Sequence, residues 1–332
     1  MKKIMNHASD YTTDMLKGIY AAHKGLVGCV GDDLHCYRSI RKKPGKVAII
    51  TGGGTGHLPL FLGYVGEGML DGCAVGDVFQ SASAEQIFEL SKAVDQGAGV
   101  LYLYGNYTGD IMNFDMAAEL CAMEGIRALS LTGTDDVYSA PKNKSGNRRG
   151  VAGIFFQYKC AGALADRMVS LDEVYDAAKE AGRRVRTAGF ALSPCIIPEV
   201  GKPGFTLEEN GMALGMGIHG EPGIWNGPLT TAREIAKTVI DKILEDMESE
   251  EVSEVAVLVN GLGATPLDEL YILYGEVEKE LRKKGIAIYR TYVGEYATSM
   301  EMAGASISLF NLNTELKGLL DYPVHTPFFT QI

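Results

Sequence analysis

The stretch Lys46-Val-Ala-Ile-Ile-Thr-Gly-Gly-Gly-Thr-Gly-His57 decides the fold, because a short apolar run leads directly into a series of glycines. Such a run, bounded by glycine, is typical of a buried strand. Two more strand-like runs follow it, separated by helical patterns: the runs are Lys46–Ile50, Val100–Tyr104 and Arg127–Leu131, and the helices are Ala84–Gln96 and Met116–Gly125. This alternation predicts βαβ units and therefore a largely parallel sheet.

The second half of the chain predicts another α/β unit. Capping boxes at Ser170 with Glu173 and at Thr231 with Glu234 indicate two helix starts. Strand patterns return at Val255–Val259, Ile286–Tyr289 and Ile307–Phe310, with a helix at Pro266–Lys284 and an acidic run, Glu245–Glu254, predicted as a solvated loop.

We therefore expect two α/β domains, each a largely parallel or mixed sheet flanked by helices. Residues 1–190 are predicted to form the N-terminal domain and residues 191–315 the second domain. The C-terminal tail, residues 315–332, is predicted to pack back on the N-terminal domain.

Composition narrows the function classes. The chain has 332 residues, a net charge of −11 and a sequence pI of about 5.1, which disfavours nucleic-acid and anionic-membrane partners because these need clustered cations. No apolar stretch reaches the ~20 residues of a membrane helix, and no signal-peptide block follows Met1, so a cytoplasmic protein is expected. Six cysteines without CxxC spacing predict free thiols and no zinc site.

The glycine series before His57 has two interpretations. It could cradle a phosphate, or it could form a tight turn packed closely on its neighbours. It lacks the Lys-Ser or Lys-Thr ending of a P-loop, and its glycines are wrongly spaced for a dinucleotide site, although Asp71 lies at about the right distance for a ribose contact. A nicotinamide-dependent oxidoreductase is therefore set aside. His57 itself could exchange protons near neutral pH or serve a structural role.

Two further segments carry candidate chemistry. Asp110 closes the motif Asn106-Tyr-Thr-Gly-Asp110 after a predicted strand, where it could cap a helix or accept a proton from a hydroxyl. No cluster of oxygen ligands accompanies it, so no metal site is predicted. His219 lies in Gly215-Met-Gly-Ile-His-Gly-Glu-Pro-Gly223, where it could stabilise a turn or act as a nucleophile toward a carbonyl.

These motifs together resemble the dihydroxyacetone kinase family, and specifically its ketose-binding subunit, DhaK. The similarity runs nearly end to end and covers Gly52–His57, Gly63–Gly66, Gly68–Leu70, Asn106–Asp110 with Asn113 and Phe114, Arg148–Val151, Gly201–Leu207, Gly217–Gly223, Leu262–Leu267 and Pro323–Pro327. One motif would be weak evidence, but their order and spacing make the resemblance specific.

The resemblance implies a role for each candidate residue. His219 would add to the ketone carbon of a short ketose and hold it as a hemiaminal, which excludes polyols such as glycerol. His57 would hydrogen-bond the bound sugar and assist proton transfer. Asp110 would take the proton of the terminal hydroxyl, and the backbone of Gly54, Thr55 and Gly56 would contact the substrate.

The resemblance also implies partners. Family members of this type bind no nucleotide themselves, and this sequence ends at Ile332 without a further helical domain, so no cofactor is expected on the chain. A helical subunit of the DhaL type would donate the phosphoryl group, using either Mg-ATP or bound ADP recharged by a phosphotransferase system. A homodimer is also implied.

Two residues depart from the family pattern. Gly105 stands where the family generally has Lys, and Leu58 stands where Glu commonly follows the loop histidine. Loss of the Lys removes a hydrogen-bond donor and opens volume. The substrate could therefore be dihydroxyacetone or a tetrulose such as erythrulose, and the alternative function is that of a noncatalytic coactivator that signals ketose to a transcription factor.

Overall fold

The computed structural model describes residues 2–247 and 251–332. The strands are β1 (Val27–Val30), β2 (Asp33–Ser39), β3 (Ala48–Thr55), β4 (Gly72–Val78), β5 (Val100–Gly105), β6 (Ala128–Gly133), β7 (Val185–Ala191), β8 (Gly211–Leu214), β9 (Trp225–Pro228), β10 (Glu254–Gly261), β11 (Ala287–Gly294), β12 (Gly304–Asn311), β13 (Val324–His325) and β14 (Thr330–Gln331). The α-helices are α1 (Tyr11–Ala22), α2 (Ala84–Val94), α3 (Thr108–Met123), α4 (Ile154–Asp166), α5 (Leu171–Arg184), α6 (Ala232–Asp246), α7 (Leu267–Lys283) and α8 (Thr314–Leu320).

The first sheet has the strand order β1-β2-β4-β3-β5-β6. Strand β3 pairs in parallel with both β4 and β5, and β5 pairs in parallel with β6, whereas β1 and β2 form an antiparallel edge. The chain leaves β3 for β4 on one side and then crosses to β5 on the other. Loops diverge at such a switch point and leave a crevice at the carboxyl ends of the strands.

The second sheet has the order β11-β10-β12-β7-β8-β9. Only β10 and β11 pair in parallel; the other neighbours are antiparallel. Helices α6 and α7 cover one side with apolar residues that include Val239, Ile243 and Val277, all fully buried. Both sheets are mixed and flanked by helices, which confirms the predicted fold class.

The chain divides into two compact units at bounds that differ from the predicted ones. The first-sheet unit comprises residues 2–133, 155–181 and 315–332, and the second-sheet unit comprises residues 134–154 and 182–314. Residues 182–190 therefore belong to the second-sheet unit, since β7 pairs with β12 from Gly304↔Ala191 to Phe310↔Val185. The predicted boundary at 190 missed this because the partner strand lies far along the chain. The tail after residue 315 lies in the first-sheet unit.

Both predicted capping boxes form. Thr231 Oγ1 accepts from the backbone N–H of Glu234 while Glu234 accepts from the N–H of Thr231, and α6 begins at the next residue. Ser170 and Glu173 make the same reciprocal bonds before α5. Within the described residues, no helix has the length and apolar character needed to cross a membrane.

The acidic run predicted as a solvated loop is only partly described, since residues 248–250 lie outside the described residues. Its second residue, Asp246, is instead the last residue of α6 and is 7% exposed. Its carboxylate accepts hydrogen bonds from Arg148, with an NH1–Oδ1 distance of 2.9 Å, and from Arg186. Ion pairs with the buried Arg148 and the half-buried Arg186 compensate the loss of hydration of this carboxylate, and a run of acidic residues in the sequence does not reveal such partners.

We expect Asp246→Ala to lower the free energy of unfolding of the second-sheet unit by about 3 kcal/mol, because it leaves two guanidinium groups without their carboxylate. Burial would raise the pKa of Asp246, but hydrogen bonds from Arg148 and Arg186 outweigh it and lower that pKa. A depressed folded-state pKa means that the stabilisation is present above the pKa of the unfolded chain, about 4, and is lost as the pH falls further. Urea titration followed by Trp225, the single tryptophan, measures the loss.

Asp241→Ala is the matched control. Asp241 lies on the same helix, is 38% exposed, and pairs with Lys237 and Lys284 at 2.6 Å each. Exposed pairs contribute less than about 1 kcal/mol. Equal losses in the two variants would contradict the assignment of the buried site.

Candidate functional site

Gly52, Gly53 and Gly54 lie inside β3 rather than in a loop, and only Gly56 follows the strand. A Cβ at Gly54 would lie 2.6 Å from the backbone nitrogen of Gln80 and 2.7 Å from Cα of Phe79. A Cβ at Gly52 would lie 2.9 Å from the carbonyl oxygen of Ala74. The missing side chains therefore let β3 pack directly against the backbone of β4 and of the segment that follows it, in line with the close-packing interpretation.

His57 is buried, at 1% exposed, between two phenylalanines. Its ring stacks on Phe79 with a centroid distance of 4.9 Å and an interplanar angle of 12°, and Phe61 meets it edge-on at 5.9 Å. Phe61 and Phe79 have φ values of 68° and 59°, a backbone conformation that residues other than glycine rarely adopt. Such backbone strain persists only where the surroundings enforce it, and it often marks a functional site.

Asp110 is the third residue of α3 and is 6% exposed. Tyr107 is the N-cap residue, so the prediction that Asp110 could cap the helix was wrong. The carboxylate instead lies in the first turn, where the helix dipole favours negative charge. Burial raises the pKa of the Cys73 thiol, and the charge of Asp110 raises it further, so the carboxylate lies within electrostatic reach of β4.

Residues 79–82, which follow β4, connect His57 to α3. The side-chain amide of Asn113 donates to the carbonyl of Ala82 at 2.8 Å, and a Cβ at Gly109 would lie 2.7 Å from Oγ of Ser81. The same segment places Phe79 on His57. His57 and Asp110 therefore lie at the same edge of the first sheet, following the adjacent strands β3 and β5, as the motif positions predicted.

The remaining predicted residues of this unit lie at the same edge. Thr55 ends β3 and is buried, with its Oγ1 3.3 Å from Oγ1 of Thr12, and Gly56 follows it with a φ of 99°. Gly105 is the buried last residue of β5, and Leu58 is half-buried.

His219 belongs to the second-sheet unit and lies in the loop between β8 and β9. Its ring nitrogen Nδ1 is 3.1 Å from Oε1 of Glu221, and its backbone N–H donates to Oε2 at 3.0 Å. Gly215 and Gly220 both have φ of 78°, so the loop takes turns that other residues adopt only with strain. The carboxylate of Glu221 thus fixes both the half-buried ring of His219 and the backbone of the same residue.

The environment of Glu221 keeps it ionised. Burial acts to raise its pKa, but the hydrogen bond from His219 and the charges of His219 and Arg149 outweigh burial and lower the pKa to about 2. An ionised carboxylate only accepts hydrogen bonds, so Nδ1 of His219 carries the hydrogen in this contact. In the neutral ring the lone pair then lies on Nε2, which is the nitrogen suited to nucleophilic attack.

Sequence reasoning missed three side chains of these sites: Glu221, Phe61 and Phe79. Glu221 follows His219 by two residues, and that spacing in a glycine-rich turn could have signalled the contact. Nothing local signals Phe79, because β4 has the sequence Gly72-Cys-Ala-Val-Gly-Asp-Val78 and its two glycines obscure the strand pattern. Within residues 2–247 and 251–332, no cluster of three or more His, Cys, Asp or Glu residues is arranged to hold a metal ion.

Comparison with known proteins identifies the family. The profile described as the Dak1 domain matches residues 17–328. The chain belongs to the Dak1 family. Its relatives include the dihydroxyacetone-binding subunit DhaK of PTS-dependent dihydroxyacetone kinase 2 from Listeria innocua, 43% identical over 99% of both chains. D-erythrulose kinase from Mycolicibacterium smegmatis is 41% identical over 99% of this chain and 56% of its own length.

Two solved structures place the fold within the same family. The dihydroxyacetone kinase operon co-activator DhaQ superposes with a TM-score of 0.89 at 30% identity, over 96% of this chain and 98% of its own. The dihydroxyacetone kinase of C. freundii, in complex with AMP-PNP and Mg²⁺, superposes with a TM-score of 0.90 at 28% identity, over 99% of this Dak1 chain and 61% of its own. The resemblance drawn from the sequence motifs is confirmed.

We expect Gly54→Ala to destabilise the first-sheet unit by about 2 kcal/mol, because the new Cβ would displace the backbone that carries Phe79. The ring protons of His57 should also lose the ring-current shift that the stacked Phe79 imposes. Urea titration followed by circular dichroism and NMR of the histidine rings measure the two effects.

Gly18→Ala provides the control. Gly18 lies within α1, and its Cβ would meet nothing within 4 Å, so the change should stabilise the helix by about 0.5–1 kcal/mol and leave the His57 signals unchanged. Unshifted His57 signals in the Gly54 variant would refute the role of this contact.

Proposed function

We propose that this chain is the substrate-binding subunit of a dihydroxyacetone-type kinase, which holds a short ketose covalently on His219 while a separate subunit supplies the phosphoryl group. The observation that carries the proposal is the hydrogen bond between Nδ1 of His219 and Glu221 in a glycine-rich loop. The names of the relatives, a dihydroxyacetone-binding subunit and an erythrulose kinase, support the same substrate class.

The covalent step adds the imidazole across the carbonyl group. Nε2 of His219 forms a bond to the ketone carbon, and the carbonyl π electrons pass to oxygen, which takes up a proton. The ring loses its Nδ1 proton to solvent, so the product is a neutral hemiaminal. Glu221 stabilises the positive charge that the ring carries between these events, since it accepts the Nδ1 hydrogen bond.

Phosphorylation then requires a base and a positioned hydroxyl. Asp110 accepts the proton of the terminal hydroxyl as that oxygen attacks phosphorus, and His57 donates a hydrogen bond to the sugar and assists proton transfer. The backbone of Gly54, Thr55 and Gly56 contacts the substrate. The burial of His57 and Asp110 supports these roles, because a side chain that is already held in place loses little entropy when it orients a substrate.

The phosphoryl donor resides on a partner in this proposal. A helical DhaL-type subunit uses Mg-ATP, or ADP recharged by a phosphotransferase system, and this chain binds no cofactor of its own. The kinase of C. freundii, of which this chain spans 61%, binds AMP-PNP and Mg²⁺, which is consistent with a nucleotide site in a larger assembly. Homodimerisation of the chain is part of the same proposal.

A second candidate function is a ketose-responsive coactivator of transcription. The match to DhaQ over 98% of that protein favours it. Both functions use His219, but a sensor has no need of a base. The buried carboxylate of Asp110 in the first turn of α3 favours the kinase.

We expect His219→Ala to abolish covalent retention of dihydroxyacetone, and Asp110→Asn to retain the ketose but lower the phosphorylation rate by about 10²–10⁴-fold, the usual contribution of a general base. Intact-mass spectrometry under non-denaturing conditions measures retention, and a coupled assay with candidate DhaL-type subunits measures transfer. Glycerol, which has no carbonyl, is the control ligand. Full activity in either variant would refute the assigned roles. If the wild type retains the ketose but no donor subunit phosphorylates it, the result would favour the sensor.

The buried Gly105 at the end of β5 makes a prediction about substrate size. We expect the wild type to bind erythrulose more tightly than dihydroxyacetone, and Gly105→Lys to reverse the order, because the longer side chain refills the volume and restores a donor. Calorimetric titration with both ketoses measures the ratio of dissociation constants. Equal or tighter binding of dihydroxyacetone by the wild type would count against the four-carbon substrate.

A further inference from the structure

Arg149 connects the interior of the second-sheet unit to the His219 loop. Its Nε donates to Oδ2 of Asp136 at 2.9 Å, its NH2 forms an ion pair with the same oxygen at 2.7 Å, and its NH2 donates to the carbonyl of Gly215 at 2.8 Å. Its NH1 lies 3.9 Å from Oε2 of Glu221. One guanidinium therefore contacts a buried carboxylate, the backbone at the start of the loop, and the carboxylate that binds His219.

Asp136 is a rigid anchor for this guanidinium. Its side chain is 4% exposed, and the backbone N–H of Tyr138 donates to its Oδ1 at 3.1 Å. Its backbone N–H donates to the carbonyl of Arg149 at 3.1 Å, and Ser139 Oγ accepts from the N–H of Arg149 at 3.0 Å. Asp136 and Arg149 are thus hydrogen-bonded to each other through their side chains and through their main chains, which leaves the guanidinium little freedom to move.

A glycine in the His219 loop leaves space for the side chains of Arg149 and Glu221. A Cβ at Gly217 would lie 2.0 Å from Oε2 of Glu221 and 2.5 Å from NH1 of Arg149. The backbone N–H of Gly217 also donates to the carbonyl of Glu221, at 3.3 Å. The backbone passes so close to both charged groups that a side chain at position 217 would displace the carboxylate of Glu221 or the guanidinium of Arg149, so the loop conformation and the Arg149–Glu221 approach depend on each other.

We propose that Arg149, anchored by Asp136, is a positioning residue that holds Glu221 against Nδ1 of His219 and so keeps the imidazole in the tautomer whose Nε2 can react. The proposal rests on the role of His219 proposed above. The favourable charge of Arg149 holds Glu221 ionised and near the ring, and the bond to the Gly215 carbonyl fixes the loop that carries His219.

The test compares the wild type with Asp136→Asn/Arg149→Met, which removes the guanidinium without leaving a buried carboxylate uncompensated. The first readout is the ¹⁵N shifts of the His219 ring in the ligand-free protein, identified by their loss in His219→Ala. We expect the wild type to carry its proton on Nδ1 and the variant to show a mixture of tautomers. The second readout is ketose affinity, which we expect to fall roughly tenfold, the effect of losing one hydrogen bond to a charged group.

Arg149→Lys is a conservative second variant, chosen in case the double variant fails to fold. A lysine keeps the charge near Glu221 but cannot bond Asp136 and Gly215 together through one planar group. It should recover part of the Nδ1-protonated form and part of the affinity.

The matched control is Arg148→Met/Asp246→Asn, which removes a neighbouring buried Arg–Asp pair of the same unit. It should lose stability yet keep the His219 tautomer and the ketose affinity of the wild type. Unchanged tautomers in the Arg149 variants, equal changes in the control, or a wild-type ring protonated on Nε2 would each overturn the proposal. Absence of ketose uptake by the wild type would refute the proposed function instead, while the ligand-free spectra would still decide the role of Arg149.

Discussion

The close packing at the carboxyl end of β3 depends on glycines, which carry no side chain. Because Gly54 has no Cβ, the backbone at Phe79 and Gln80 approaches β3 more closely than any other residue would allow. That approach puts Phe79 against His57 and brings residues 79–82 onto the start of α3, where Asp110 lies. A backbone contact between β3 and the segment that follows β4 thereby helps to position both candidate site residues of the first-sheet unit, His57 and Asp110.

The second-sheet unit fixes its histidine through hydrogen bonds to a carboxylate. His219 is half-buried, and both its backbone N–H and its ring nitrogen Nδ1 are hydrogen-bonded to the carboxylate of Glu221. Glycine is needed here for a different reason: at Gly217 it clears space for charged groups, whereas at Gly54 it clears space for backbone. Packing suits a group that must stay in one orientation, and a carboxylate contact suits a ring whose tautomer decides its reactivity.

Much of the fold and the placement of the motifs could be predicted, because the signals were local. Thr231 directly precedes in sequence the helix that it caps, and the apolar residues of β3 directly precede its glycines, so both signals can be read from a few neighbouring residues. The misplaced domain boundary had a non-local cause: β7 finds its partner, β12, more than a hundred residues later, and its own sequence alternates only weakly. The burial of Asp246 was hidden likewise, since its partners Arg148 and Arg186 lie far away along the chain.

The candidate site divides in the same way. Histidine, aspartate and glycine could be named from motifs, because the residue type and the strand end carry that information. Their surroundings could not, since Phe79 reaches His57 only through the pairing of β3 with β4. The surroundings also bear on the choice between catalysis and sensing. A carboxylate buried to the extent of Asp110 loses hydration that a ligand sensor would have no reason to give up, whereas a base that takes a proton from an alcohol must be held in place beside that hydroxyl.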